Sequence, residues 1–209
     1  MTLGASCPAS PLLPPSIIDA LRSSPARSGW PGPKTGVAPA SSADSAWSYQ
    51  LTARSERWLA PILNYRPDEA AAVLRRGGLC VLPTETVYGL AALAYDADAV
   101  RRVFEAKGRP SDNPLIVHLG EAAEADEVAH VTALGGDLLR AFAPGPLTVV
   151  LPARPGLPPA VTAGLGTVAV RVPSAPLARA VLRSTGPLVA PSANRSGRPS
   201  PTTWEAAAE

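Results

Sequence analysis

The sequence predicts an α/β domain over residues 61–209, built on a twisted open mixed sheet with flanking helices, behind an N-terminal extension of different character. Three observations predict it. From Arg66 onward, short apolar runs bounded by Gly and Pro alternate with segments of helical period, which argues for a layered sheet rather than a bundle or barrel. A chain of 209 residues with 46% hydrophobic and 17% charged residues can bury one good core plus an appendage, but not two full domains. Residues 1–60 are rich in Ser, Pro, Ala and Gly, hold turn-prone pieces such as Gly29-Trp30-Pro31-Gly32-Pro33, and show no sustained period, so disorder is expected there. That segment has neither a continuous Arg-rich amphipathic helix nor a signal-peptide apolar core; a transit peptide and an upstream start both fit it.

The elements follow in order. Pro67 and Asp68 open a helix through Ala72, Val73 and Leu74, which Gly77-Gly78 close. Leu79–Leu82 is a buried strand, 83–89 a loop and Leu90–Tyr95 a second strand. Asp96 caps a helix whose Val100, Val103 and Phe104 share a face and which ends at Gly108. Leu115–His118 reads as a strand, 121–128 and 133–142 as helices, and Leu147–Leu151 as a strand. Strand 168–172, helix 176–184 and strand 188–190 complete the series. Thr202 and Glu205 form a capping-box pair for a helix that has barely a turn before Glu209, so the chain is expected to end before its fold does. A chain stopping there is expected to be marginally stable and nearly inactive beside one extended through further strands.

No apolar run approaches the ~20 residues of a membrane span. Cys7 and Cys80 lie in unlike surroundings, which excludes a disulfide framework and fits a reducing, cytoplasmic setting. His118 and His130 have no Cys or His at ligand spacing, so a structural zinc site is excluded and no protein-bound metal is expected. Net charge is only +2, but it is unevenly spread. Between Asp137 and Glu205 no acid occurs, while Arg140, Arg154, Arg171, Arg179, Arg183, Arg195 and Arg198 do, so a phosphate- or carboxylate-bearing partner is expected.

Nucleotide fingerprints are missing: there is no P-loop, and the one Gly-x-Gly-x-x-Ala match, at Gly164, runs into a strand rather than a helix. Three other segments carry chemistry. Lys107 is the lone lysine of the regular region, at a helix end where a cation also suits the dipole, and two residues on stands Arg109; the pair suits a polyphosphate or a carbonate-like anion. The loop 190–202 sets Ser192, Asn194 and Arg195 after a strand, where open sheets bind ligands. Thr84, Thr86 and Tyr88 stand on a short loop between apolar strands, where polar groups can converge on a small ligand.

Together Pro83-Thr84-Glu85-Thr86-Val87-Tyr88-Gly89-Leu90, Lys107-x-Arg109, 113–118 (Asn-Pro-Leu-Ile-Val-His), 144–148 (Pro-Gly-Pro-Leu-Thr), 168–173 and Ser192-x-Asn194 resemble the YrdC-like family of L-threonylcarbamoyladenylate synthases, from about Arg66 to Thr203. The resemblance implies a YrdC/RibB-like sheet with a basic cavity. It also implies a nucleotidyltransferase that makes threonylcarbamoyl-AMP and pyrophosphate from L-threonine, bicarbonate and ATP, toward threonylcarbamoyladenosine (t6A) in tRNA. Implied partners are those substrates, Mg²⁺ carried by the nucleotide, a downstream threonylcarbamoyl transferase machinery and tRNA, with no membrane. By the same resemblance Lys107 and Arg109 are catalytic. Lys107, Arg109, Asn113, Thr167, Ser192, Asn194 and Ser200 contact ATP, while Thr84, Thr86, His118, Arg171 and the backbone of Ala190 hold threonine. Without it, His118 reads as a core histidine ending a strand. Two alternatives stand beside this reading: a double-stranded RNA-binding module on the acid-free half, and a carbamoyl-transfer domain of a maturation factor.

Overall fold

The computed structural model describes residues 66–208; the expected disorder of 1–60 and Cys7 lie outside them. Helix α1 (Pro67–Arg75) opens on a proline whose fixed φ suits the first turn, and it buries Ala70, Ala71 and Leu74. Strands β1 (Cys80–Pro83) and β2 (Tyr88–Leu93) form an antiparallel pair, with Pro83 opposite Tyr88. Asp96 Oδ1 accepts from the Ala99 amide at 2.9 Å to cap α2 (Ala97–Lys107), and Gly108, at φ 56°, ends it in the left-handed conformation that favours glycine. Next come β3 (Ile116–His118), α3 (Ala125–Val128), α4 (Ala133–Phe142), β4 (Val149–Pro152), α5 (Pro159–Thr162), β5 (Thr167–Arg171), α6 (Pro176–Thr185), β6 (Leu188–Val189) and α7 (Trp204–Ala208).

The sheet order is β1-β2-β6-β3-β5-β4. β3 and β5 are its parallel pair and every other neighbour is antiparallel, which makes it the mixed open sheet expected. Because strand side chains alternate, Leu90, Ala92, Val117, Val168, Val170 and Val189 face one side and build the main core with Val100, Val103 and Phe104 of α2. Leu82, Ala91 and Leu188 face the other side and pack with Leu74 of α1 and Leu182 of α6 in a second cluster. That second layer covers the β1-β2-β6 half. On the same face of the β3-β5-β4 half, Ile116, Ala169 and Val150 lie level across the three strands; Val150 is 64% exposed and the first two are half-buried. Among the described residues, one half of one face of the sheet is therefore left open.

Local differences from the sequence expectations have structural causes. β2 starts at Tyr88 rather than Leu90 because its backbone pairs with the chain beyond β6: Leu90 donates to Pro191, Ala193 donates to Tyr88, and Gly89 bridges Ser192. A Cβ on Gly89 would sit 3.1 Å from the Ala190 carbonyl oxygen, so any side chain there would force the paired segment to give by a few tenths of an ångström. Segment 121–128 is split into a 3₁₀ turn, Ala122–Glu124, and α3, with Glu124 turned back to accept from the Gly120 amide at 2.9 Å. The last helix is capped one residue later than expected: Thr203, not Thr202, accepts from the Ala206 amide. The four-residue α5 went unread, being too short to show a period. Cys80 is buried, and burial pushes its thiol up to about 11. No helix of the described residues is long and apolar enough to cross a membrane.

Candidate active site

The open half-face is framed by the three chemistry-bearing segments. On β5, residues 167, 169 and 171 share its face, so Thr167 stands at one end and Arg171 at the other, roughly 13 Å away at 3.3 Å per residue. Arg171 lies level with His118 of β3, and Thr167 near Asn113 and Pro114, which lead into β3. The site thus has two ends.

At the Arg171 end, loop 84–87 folds onto the sheet. Thr84 Oγ1 donates to the Val87 carbonyl at 2.6 Å and lies 3.1 Å from Thr86 Oγ1. Arg171 Nη2 donates to both Glu85 Oε1 at 2.8 Å and Thr86 Oγ1 at 3.1 Å. Burial alone would raise the Glu85 carboxyl, but the hydrogen bond and charge of Arg171, with the nearby backbone amides of Glu85 and Ser174, hold it below the usual carboxylate value. A small pocket opens beside this pair, lined by Leu82, Thr84, His118, Pro173, Ala178 and Ala190 among others. Three of the five residues assigned to threonine line this pocket, and the other two, Thr86 and Arg171, are hydrogen-bonded beside it.

His118 is buried, and its Nδ1 lies 3.3 Å from the Ile116 carbonyl, which can only accept. The proton therefore sits on Nδ1, and Nε2 remains an acceptor. Burial first, then the positive charge of Arg171, pushes its pKa down to about 4. The folded value is below the ordinary 6.5, so between these values the unfolded state binds a proton that the folded state refuses, and stability falls as pH drops through that window. Between pH 7 and pH 4 the stability advantage of wild type over His118→Gln is expected to shrink by up to about 3 kcal/mol. Denaturant unfolding of both proteins at the two pH values checks this; a gap independent of pH contradicts it.

At the other end, Lys107 occupies a position that sequence reasoning overlooked. It continues the Val100, Val103, Phe104 stripe and is only 4% exposed. Its Nζ donates to the backbone carbonyls of Ser192 and Asn194, and its own carbonyl accepts from the Ser196 amide at 2.8 Å. The ammonium is thus a clasp for loop 192–196 rather than a helix cap. Burial, then the charge of Arg109, lowers its pKa to about 8, which still leaves it charged at neutral pH. Asn194 Nδ2 donates to the Arg195 and Arg198 carbonyls at 2.8 and 2.7 Å, which fixes the amide orientation and leaves Oδ1 buried as an unpartnered acceptor. Arg109 Nη2 donates to the Pro114 carbonyl at 2.9 Å, and its Nε is buried without a partner. Lys107, Ser192 and Asn194 are directly joined, and Arg109 lies close enough to affect the lysine's charge. Asn113, Thr167 and Ser200 are exposed around this end, with no side-chain hydrogen bond joining them to it.

The positive field is narrower than the acid-free sequence suggests. Arg179 and Arg183 both pair with Glu121, Arg140 with Asp137 and Arg171 with Glu85. The folding chain brings in acids that lie outside the stretch. Among the described residues no three His, Cys, Asp or Glu side chains come together as metal ligands. Sequence reasoning also passed over Glu85, the single acid of its segment.

The mixed-sheet α/β domain thus sets a small pocket and the Glu85–Arg171 pair at one end of an open half-face and a basic, lysine-clasped loop at the other. The family model Sua5_yciO_yrdC, described as "Telomere recombination", matches residues 72–209, and the chain belongs to that family. Threonylcarbamoyl-AMP synthase of Bacillus subtilis is 51% identical over 140 residues, covering 66% of this chain and 40% of the relative. The synthase of Pyrococcus abyssi is 49% identical over 142 residues, covering 67% and 42%. The crystal structure of P. abyssi Sua5 complexed with L-threonine superposes with a TM-score of 0.67 at 44% identity, covering 72% of this chain and 45% of that one. The chain therefore spans about two fifths of the length of these curated relatives.

Proposed function

We propose that this domain is an L-threonylcarbamoyladenylate synthase, with threonine at the Arg171 end and ATP at the Lys107 end. The observation that carries this reading is the union, over one open half-face, of the Arg171–Glu85–Thr86 cluster beside a small pocket lined in part by Thr84 and His118 with the clasped, arginine-flanked loop 192–198. The names of the relatives and the threonine bound by P. abyssi Sua5 support it.

The reaction is carboxylation of the threonine amine by bicarbonate, with loss of water, then attack of the carbamate oxygen on the α-phosphorus of ATP with departure of pyrophosphate. No protein nucleophile is required, so catalysis is positioning plus stabilisation of phosphate charge. Arg109, with a buried N–H unspent, holds phosphate or the bicarbonate-derived group. Lys107 shapes the loop and supplies its remaining N–H. Asn194 Oδ1 accepts from a base or ribose donor, since its own N–H groups are spent on backbone. Asn113, Thr167, Ser192 and Ser200 complete the nucleotide contacts. Mg²⁺ arrives on the ATP phosphates. Thr84, Thr86, His118, Arg171 and the Ala190 backbone hold threonine. The product passes to a threonylcarbamoyl transfer machinery acting on tRNA, and the site of action is the cytoplasm. Because four of the seven arginines in the acid-free stretch are paired with acids, this small-ligand reading is favoured over a duplex-RNA surface.

A pocket that hydrogen-bonds a substrate hydroxyl leaves its own polar groups unpaired when the hydroxyl is missing. With ATP, Mg²⁺ and bicarbonate, valine is therefore expected to support pyrophosphate release at least about 100-fold less efficiently than threonine. Comparable kcat/KM for the two amino acids would refute the assignment of the pocket.

A further inference from the structure

Glu85 and Arg171 meet in an unusual way. An arginine and a carboxylate commonly close fork to fork, two N–H groups on two oxygens. Here a single nitrogen, Nη2, serves both Glu85 Oε1 and Thr86 Oγ1. Arg171 Nε and Glu85 Oε2 are both buried without a hydrogen-bond partner. Fold stability alone gives no reason to keep these two unpaired, because a buried polar atom without a partner is costly and the fork-to-fork arrangement would satisfy both. What remains is one orphan donor on a cation and one orphan acceptor on an anion, in an ion pair whose sequence neighbour Thr84 lines a small pocket.

The pair is electrically neutral, which restricts what can join it. A simple carboxylate would bring one uncompensated negative charge into a largely buried site, and a simple amine one positive charge. A zwitterion brings both poles at once and satisfies both orphan atoms. An α-amino acid carries its carboxylate and ammonium on one carbon, which suits two groups joined by a single 2.8 Å contact.

We propose that Glu85 is a substrate-binding, specificity-determining residue: its Oε2 accepts from the α-ammonium of the amino acid, while Arg171 Nε donates to the α-carboxylate. This rests on the reading of the Arg171 end as the amino-acid subsite and deepens it. Glu85 thereby selects α-amino acids over α-hydroxy acids of the same shape, a choice that Arg171 alone cannot make.

The test is calorimetric binding of L-threonine and of the 2,3-dihydroxybutyrate that has hydroxyl in place of the amine, to wild type and to Glu85→Gln. Wild type is expected to prefer threonine by about 30-fold, the size of one charged hydrogen bond. In Glu85→Gln, threonine should weaken about 30-fold and the hydroxy acid less than about threefold, so that the preference collapses while ATP affinity stays unchanged. Equal weakening of both ligands would show that Glu85 only positions Arg171 and would overturn the proposal, as would no change in either. If the variant does not fold, wild type alone decides: threoninamide and the hydroxy acid should each bind at least about tenfold more weakly than threonine, and a hydroxy acid that binds as well as threonine overturns the proposal. Failure of wild type to bind threonine at all refutes the amino-acid subsite itself, an outcome distinct from these.

Discussion

Replacing Arg109 with alanine is expected to lower kcat/KM for ATP-dependent pyrophosphate release about 100-fold while hardly moving the melting temperature. The two effects separate because of what Arg109 touches. Among the described residues its side chain makes one hydrogen bond, to the carbonyl of exposed Pro114, so its removal leaves little unsatisfied. Toward a ligand it offers a fixed positive charge and a buried, unspent Nε–H. A charged hydrogen bond in a partly desolvated site contributes about 1.5–3 kcal/mol, and its upper range corresponds to the 100-fold loss. Lysine at this position keeps the charge but not the fork and should restore only part of the rate. Steady-state kinetics with a thermal melt of each variant checks this, and unchanged kinetics would remove Arg109 from the nucleotide site.

Lys107→Met is expected to lose both stability and activity. The methionine follows the Val100, Val103, Phe104 stripe well, so the helix itself is not disturbed. The loss comes from the Ser192 and Asn194 carbonyls, which surrender their shared donor. Burying no ammonium offsets part of this, leaving a net cost of about 2 kcal/mol, or roughly 6 °C in Tm for a domain of this size. With the clasp gone, loop 192–196 loses its anchor to α2, and ATP affinity should fall at least about tenfold through positioning rather than through a lost phosphate contact. Lys107→Arg should not rescue it, because a forked guanidinium does not fit where 96% of the lysine is covered. A Lys107→Met protein that melts like wild type would mean that the clasp carries no weight.

The fold was legible where the signal is local. Asp96 and Gly108 bracket α2 because a cap and a left-handed glycine act within one turn, and Pro67 opens α1 for the same reason. The start of β2 was not legible, since Tyr88 and Gly89 are held in strand by pairing with Pro83 and Leu82 on one side and with 191–193, about a hundred residues further on, on the other. In the site, the segments stood out by residue type, but their roles depended on distant partners. Lys107 reads as a helix-end cation until the period of Val100, Val103 and Phe104 is carried one turn further, which places it on the buried face; that signal was present in the sequence. Glu85 offered no such signal. Its partner Arg171 lies 86 residues away and meets it because loop 84–87 folds onto the sheet at the end of β5. The arginine excess between Arg140 and Arg198 misled for the complementary reason: Glu121 and Glu85 lie outside that stretch in sequence and inside its field in space.

One reaction over one open half-face is the proposed activity of this domain. Its most direct test is incubation of the protein with ATP, Mg²⁺, L-threonine and ¹³C-bicarbonate, followed by mass spectrometry of the adenylate product. Threonylcarbamoyl-AMP carrying the label, formed in step with pyrophosphate and only when all three substrates are present, is the result predicted. Threonyl-AMP without the labelled carbon, or pyrophosphate release indifferent to threonine and bicarbonate, would contradict it.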